Sequence, residues 1–286
     1  MRTIVCIKQV PDQTTITFNL ETGKLDNIHY LMDPVDEVAV GEAIRIRERD
    51  GGRVTAITLG PPRAAEVLRT ALKMGADEAI HLCDEAFENL DVYSTSVVLA
   101  KQISKLQYDI ILCGRESMDE ANGFVGAAIA EWLDLPLVTA VTRLDIFSDT
   151  MTARIHRRVK GGDREILECA LPAVFTVETV LRKPIYPPLR TILAGLKKEI
   201  IKVDAKSLGV DAASLEPAVV TLGISQPKPR LKKTATIDSK LSPAERIKLI
   251  TSGGIQQKGS KTVEKPPQAA AAEIIQFLIT HGIITK

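Results

Sequence analysis

Asp109-Ile110-Ile111-Leu112-Cys113-Gly114-Arg115-Glu116-Ser117-Met118-Asp119-Glu120-Ala121-Asn122-Gly123 runs from an apolar segment into a polar loop, and Phe124 to Leu135 continues as an apolar-faced helical segment. A buried strand that hands a polar, glycine-bearing loop to a helix start leaves unpaired backbone N–H groups converging on one spot. The helix dipole adds partial positive charge there, and phosphate is the usual occupant. Gly123 and Gly126 allow close backbone approach, and Asn122 or Asp119 suits the helix cap or a ribose hydroxyl. The loop lacks both the Walker pattern and Gly-x-Gly-x-x-Gly. Taken alone it reads equally as a capped turn without a ligand, so the remainder of the chain has to decide.

Outward toward the N-terminus, strands alternate with amphipathic helices. Thr3 to Ile7 is a first strand, Lys8 to Asp12 a loop, and Thr14 to Leu31 a hairpin around Glu21-Thr22-Gly23-Lys24. Asp33 is placed to cap a helix with Pro34 in its first turn, ended by Gly51-Gly52. Arg53 to Leu59, a helix from Ala64 to Met74, Glu78 to Leu82, and a helix from Asp91 to about Leu106 follow. This alternation predicts right-handed βαβ units and a mainly parallel, doubly wound, Rossmann-like α/β sheet. Ligands of such sheets bind beyond the carboxyl ends of the strands where strand order reverses. If the first strand neighbours the Asp109 strand, that crevice is lined by Cys6, Ile7 and Lys8, by Asp33, Pro34, Val35 and Asp36, by Leu59, and by Arg115 to Gly126. Four loops then converge with polar or glycine chemistry, which favours a nucleotide site.

Beyond Pro136, Leu137 to Phe147, Met151 to Val159, Arg164 to Leu167 and Pro172 to Val177 read as an antiparallel extension of the sheet, with Lys160 to Asp163 as a turn. Arg182 to Arg190 holds three prolines among basic residues and reads equally as a stiff exposed segment with Tyr186 and Leu189 available to a partner or as a plain crossover loop. Thr191 to Lys198 is a short helix and Val219 to Leu222 a short strand. Helices from Ser242 to Ile250 and Gln268 to Leu278 are separated by polar linkers. Such a tail does not bury itself alone, which points to an arm wrapped on a partner chain, the alternative being a tail folded back on its own domain.

With Lys+Arg 37 against Asp+Glu 36 and a net charge of +1, the chain lacks the electrostatic footprint of a nucleic-acid binder. Cys6, Cys83, Cys113 and Cys169 are too scattered for a disulfide framework or a zinc site, in keeping with reduced thiols in the cytoplasm. The apolar stretch Ala269 to Ile284 contains Glu273, Gln276 and His281, which argues against a membrane span. The histidines are scattered and no Gly-x-Ser-x-Gly elbow occurs, so the pattern is that of a cofactor holder without a catalytic constellation or metal site.

Cys6-Ile7-Lys8-Gln9-Val10-Pro11-Asp12, Asp33-Pro34-Val35-Asp36-Glu37-Val38-Ala39, Thr70-Ala71-Leu72-Lys73-Met74-Gly75-Ala76-Asp77 and the Gly114 to Gly126 loop resemble, in that order, the β subunit of electron-transfer flavoproteins. The likeness extends over nearly the whole chain, and Leu181-Arg182-Lys183-Pro184 onward resembles the family's recognition loop, with Leu189 at the anchoring leucine. It implies an adenine-nucleotide α-hydrolase-like fold and a heterodimer with an α subunit. It also implies an FAD that exchanges electrons with acyl-CoA-type dehydrogenases, and a nucleotide in the β-subunit crevice: AMP, or a second FAD in bifurcating members that also bind NADH. Family nucleotide contacts correspond to Cys6, Asp33 to Asp36, Leu59, and Asp119 through Ala121, Asn122, Gly123, Phe124 and Val125 to Gly126. Asp91-Val92-Tyr93-Ser94-Thr95-Ser96 resembles the bifurcating type, adding Asp91 and Thr95 and favouring FAD. Against this, the second aspartate and the glutamine of the bifurcating loop are missing. The implied organisation is a nucleotide-binding domain over 1–180, the recognition loop and short helix over 181–200, and a partner-wrapping arm over 201–286. A stand-alone ATP- or AMP-binding sensor of the universal stress protein kind shares the fold and is the alternative, though it has no need of so long an extension.

Overall fold

The computed structural model describes residues 1–18, 25, 26, 28–210, 215, 217–219, 222, 242–244, 246, 247 and 265–280. The chain opens with β1 (Arg2–Cys6), β2 (Gln9–Pro11), β3 (Thr17–Phe18), β4 (Leu25–Asp26) and β5 (Tyr30–Met32). Next come α1 (Pro34–Asp50), β6 (Arg53–Leu59), α2 (Ala65–Met74), β7 (Glu78–Leu82), α3 (Val92–Ile103), β8 (Ile110–Gly114) and α4 (Val125–Trp132). They are followed by β9 (Leu137–Phe147), β10 (Thr152–Arg158), β11 (Arg164–Ala170), β12 (Ala173–Val177), α5 (Leu189–Lys197), β13 (Ile201–Val203) and α6 (Ala205–Leu208).

A nine-stranded sheet carries the fold, in the order β11-β10-β9-β12-β8-β1-β6-β7-β13. Antiparallel pairing within it is confined to one edge, where β10 pairs with β9 and β11. Alternate residues of each central strand face opposite layers: Val5, Ile110 and Leu112 pack with α1 and α2, whereas Ile4, Cys6, Ile111 and Cys113 pack with α3, α4 and α6. The fold is therefore doubly wound, as the alternation of strands and helices predicts. β1 pairs with both β6 and β8, so the strand order reverses between β1 and β8.

Several elements differ from expectation. The Lys8 to Asp12 loop contains β2, which pairs antiparallel with β5 and ties the first loop to the entry of α1. The Glu21 to Lys24 turn lies outside the described residues, though β3 and β4 pair as a hairpin does. β12 is not part of the antiparallel extension. It lies parallel between β8 and β9, with all five residues buried. β13, three residues long, adds a further parallel edge beside β7. Helix α3 ends at Ile103, short of Leu106.

The chain divides into two compact units, 1–226 and 227–286. β13 and α6, expected from sequence at the start of the arm, fall in the first unit. The predicted strand over 219–222 does not form at Val219, which sits in a bend, and its next two residues lie outside the described set. In the second unit a helix spans Pro267–Thr280, with no buried residue. Of the helix expected from Ser242, only 243, 244, 246 and 247 are described as helical. The segments 223–241 and 251–264 lie outside the described residues. No helix among the described residues is long and apolar enough to cross a membrane.

Candidate functional site

At the reversal of strand order the loops after β1 and β8, the end of β6 and the start of α3 border a cleft of about 900 Å³. Its position follows from the topology: neighbouring loops at a switch point leave on opposite sides of the sheet and open a crevice between them.

Two aspartates fix the frame. Asp33 caps α1, its Oδ1 accepting from the Val35 N–H at 3.0 Å, while its Oδ2 accepts from the Met118 N–H at 2.7 Å. Asp36, one turn into the same helix, accepts from the Lys8 N–H at 2.7 Å and the Gly114 N–H at 3.1 Å. One helix end therefore holds the loops after both β1 and β8. Burial, and then the neighbouring Asp33 charge, push the Asp36 carboxyl up to about 8, against the opposing pull of those two N–H donors.

The basic side chains at the cleft are already paired. Lys8 Nζ lies 2.9 Å from Asp119 and 3.3 Å from Glu120. Arg115 lies 2.8 Å from Glu178, whose hydrogen bond holds the guanidinium above its ordinary range. Burial alone would raise Asp119, but hydrogen bonds from Ser117 and Lys8 outweigh it and hold the carboxyl below the usual range. What remains available to an anion is the start of α4. Phe124 is its N-cap residue and no side chain caps it, so the first-turn N–H groups of a helix beside the cleft lack a side-chain acceptor. Gly123, at φ +61°, turns the loop into this helix through the left-handed region.

Of the residues selected from sequence, Cys6, Ile7, Lys8, Asp36, Leu59, Asp91, Thr95, Arg115, Asn122, Gly123, Phe124, Val125 and Gly126 border the cleft. Asp33, Pro34, Val35, Asp119 and Ala121 do not; Asp33 and Asp119 stand behind the wall as frame and counter-charge. Neither Asn122 nor Asp119 caps α4, contrary to expectation. The Asn122 amide donates to Glu120 at 3.1 Å, and Asp119 accepts from Lys8 and from the Glu120 N–H. Gly126 serves packing: a Cβ there would lie 2.5 Å from Thr176 Cγ2 on β12, so the glycine lets α4 lie against the sheet.

Of the opposite wall, only Asp91 and Thr95 were selected from sequence. Phe87 and Leu90 line it ahead of α3. Asp91 caps α3 through the Ser94 N–H at 2.8 Å and, with its other oxygen, accepts from the Val219 N–H at 2.9 Å. Val219 and Pro217 thereby close that side. A hydrophobic residue just before an N-cap, Leu90 before Asp91, is a signal that could have marked this wall; nothing local marks Pro217 or Val219. Tyr186 and Leu189 lie elsewhere, exposed at 91% and 69%, the first on the segment leading into α5 and the second at the start of that helix. No cluster of metal-ligating side chains occurs among the described residues.

Residues 25–208 match the family described as Electron transfer flavoprotein domain. Among curated relatives, the electron transfer flavoprotein subunit beta of Thermoanaerobacterium thermosaccharolyticum is 37% identical over 267 residues, covering 93% of this chain and 97% of the relative. The subunit of the same name from Clostridium acetobutylicum is 32% identical over 280 residues, covering 97% and 98%. That of Bacillus subtilis is 35% identical over 236 residues, covering 82% and 90%.

Proposed function

This chain belongs to the family of electron transfer flavoprotein β subunits, and from that premise we propose that it pairs with an α subunit and holds a nucleotide in its switch-point cleft while the complex carries electrons. Electrons enter from acyl-CoA-type dehydrogenases or NADH, in a cytoplasmic setting that agrees with four free cysteines. The observation that carries the nucleotide reading is the α4 start: a helix N-terminus without a side-chain cap beside a cleft whose lysine and arginine are already paired with acids. An anionic phosphate is what such a start accepts.

Size chooses between the two candidate nucleotides. At about 900 Å³ the cleft stands near the top of the roughly 300–1,000 Å³ span of small-molecule sites, which suits the dinucleotide FAD better than AMP. The N–H groups of Val125 and Gly126 would hold phosphate, Leu59, Phe87 and Leu90 would cover the flat apolar part, and Asp91, Thr95 and Asn122 would meet hydroxyls. Bound FAD supplies one- and two-electron chemistry that no side chain offers. The chain's own residues bind and orient it, and the Asp33 and Asp36 contacts keep the loops at their spacing.

The experiment is to purify the chain with its α partner, denature the complex and identify what is released. Two FAD per heterodimer support this reading; one FAD and one AMP would keep the site but replace its occupant. ATP released from a colourless homodimer would instead establish the sensor.

A further inference from the structure

Cys6 and Cys113 stand at or near the carboxyl ends of two neighbouring parallel strands. β1 and β8 pair with the Cα of Cys6 opposite that of Cys113. Adjacent strands lie about 4.8 Å apart, within the roughly 4.4–6.8 Å Cα separation over which a disulfide closes. Both side chains fall on the α3 and α4 face of the sheet, both border the cleft, and both are free thiols. Hydrogen bonding to Cys6, and then burial, push the Cys113 thiol well up, so Cys113 keeps its proton until the second step. Cys83 and Cys169 have no such neighbour: Cys83 follows β7, two strands from β1, and Cys169 lies on the edge strand β11.

We infer that Cys6 and Cys113 form a redox-active dithiol in the cleft floor, oxidised to an intramolecular disulfide by a small-molecule disulfide when the cleft is open and shielded when a nucleotide fills it. Only the shielding rests on the nucleotide reading. In the first step the Cys6 sulfur gives its proton to solvent and attacks one sulfur of the reagent. The reagent's S–S bond breaks, and its other half leaves as a thiolate and takes up a proton. In the second step the Cys113 sulfur loses its proton and attacks the mixed disulfide at Cys6, releasing the remaining half as a thiol. The protein has then given up two electrons and two protons and the reagent has gained them. Excess reduced thiol runs the same steps backwards.

The test takes the full chain purified with its partner subunit, with nucleotide removed or retained, and exposes it to glutathione disulfide before non-reducing peptide mapping by mass spectrometry. The expected product of the nucleotide-free protein is a Cys6–Cys113 cross-linked peptide that dithiothreitol reverses. With nucleotide at ten times its Kd only about a tenth of the sites remain open, so cross-linking should slow about tenfold. Cys113→Ala removes the second thiol and should accumulate glutathione on Cys6. Unmodified thiols in the nucleotide-free protein, or adducts that never cross-link, overturn the dithiol. An unchanged rate in protein shown to hold nucleotide overturns the shielding. Failure to release any nucleotide overturns the proposed function instead and leaves the cross-linking result standing.

Discussion

Asp36 shows how a single buried carboxyl makes this fold sensitive to pH. Its value of about 8 in the folded chain stands above the ordinary 3.8, so between those values the folded chain keeps a proton that the unfolded chain has released. The stability this contributes is complete below about pH 4 and is lost as pH rises through 8. Asp36→Asn cannot ionise, so its melting temperature should fall less steeply over that window than wild type, as thermal melts at several pH values would record. Parallel curves would mean that the Lys8 and Gly114 N–H groups keep Asp36 ionised throughout. Gly126 makes a different case. From sequence it reads as clearance for a ligand, because a glycine at a helix start looks the same whichever side needs the room. The structure puts the need on the sheet side, 2.5 Å from Thr176 Cγ2. Gly126→Ala should therefore cost about 1–3 kcal/mol of stability by overpacking. Adding Thr176→Ser removes the obstructing methyl while retaining the hydroxyl that accepts from the Ala140 N–H, and should restore most of the loss. If the double variant melts as low as Gly126→Ala, the packing account fails.

Elements with their own punctuation were legible, and those defined by their neighbours were not. Asp33-Pro34 and Asp91 announce α1 and α3 because caps are local chemistry. β12 follows a run of antiparallel strands and looks like their continuation, yet its five buried residues mark a central parallel strand. β13 is three residues long and gains its identity only by pairing with β7. Helix α5 has two faces that separate by residue. A Cβ at Gly195 would lie 2.3 Å from the Leu72 carbonyl oxygen, so that face is seated on α2. Leu189, Leu193 and Leu196 point out, each at least half exposed. Gly195→Ala should thus lower the melting temperature. Leu189→Ala should leave melting and flavin content unchanged but slow electron transfer with the physiological dehydrogenase about tenfold, the effect of roughly 1.4 kcal/mol in docking. Reduction by a small chemical reductant is the control. Wild-type transfer at subsaturating dehydrogenase would remove Leu189 from the docking surface.

At the scale of the whole molecule, the hydrophobic clusters and the cleft lie within residues 1–226, while the second unit follows as 227–286. The helix Pro267–Thr280 buries none of its residues, and Ile274, Ile275 and Phe277 are each more than half exposed. Apolar side chains left in water at that density are a liability in an isolated chain and an asset to one that associates. The sequence exposes this division through the proline- and lysine-rich stretch after Ser225, whereas β13 and α6, expected at the start of the arm, fall in the first unit. Only pairing in space joins β13 and the Val219 contact to the sheet. A chain ending at Gln226 keeps both hydrophobic clusters and should therefore melt cooperatively within a few degrees of full length. It should also be less prone to aggregate when expressed alone, and should fail to co-purify with a tagged α subunit. If the shortened chain unfolds, the second unit supplies packing to the first. If it still retains the α subunit, the arm is not what holds the partner, and the binding surface must be sought on residues 1–226.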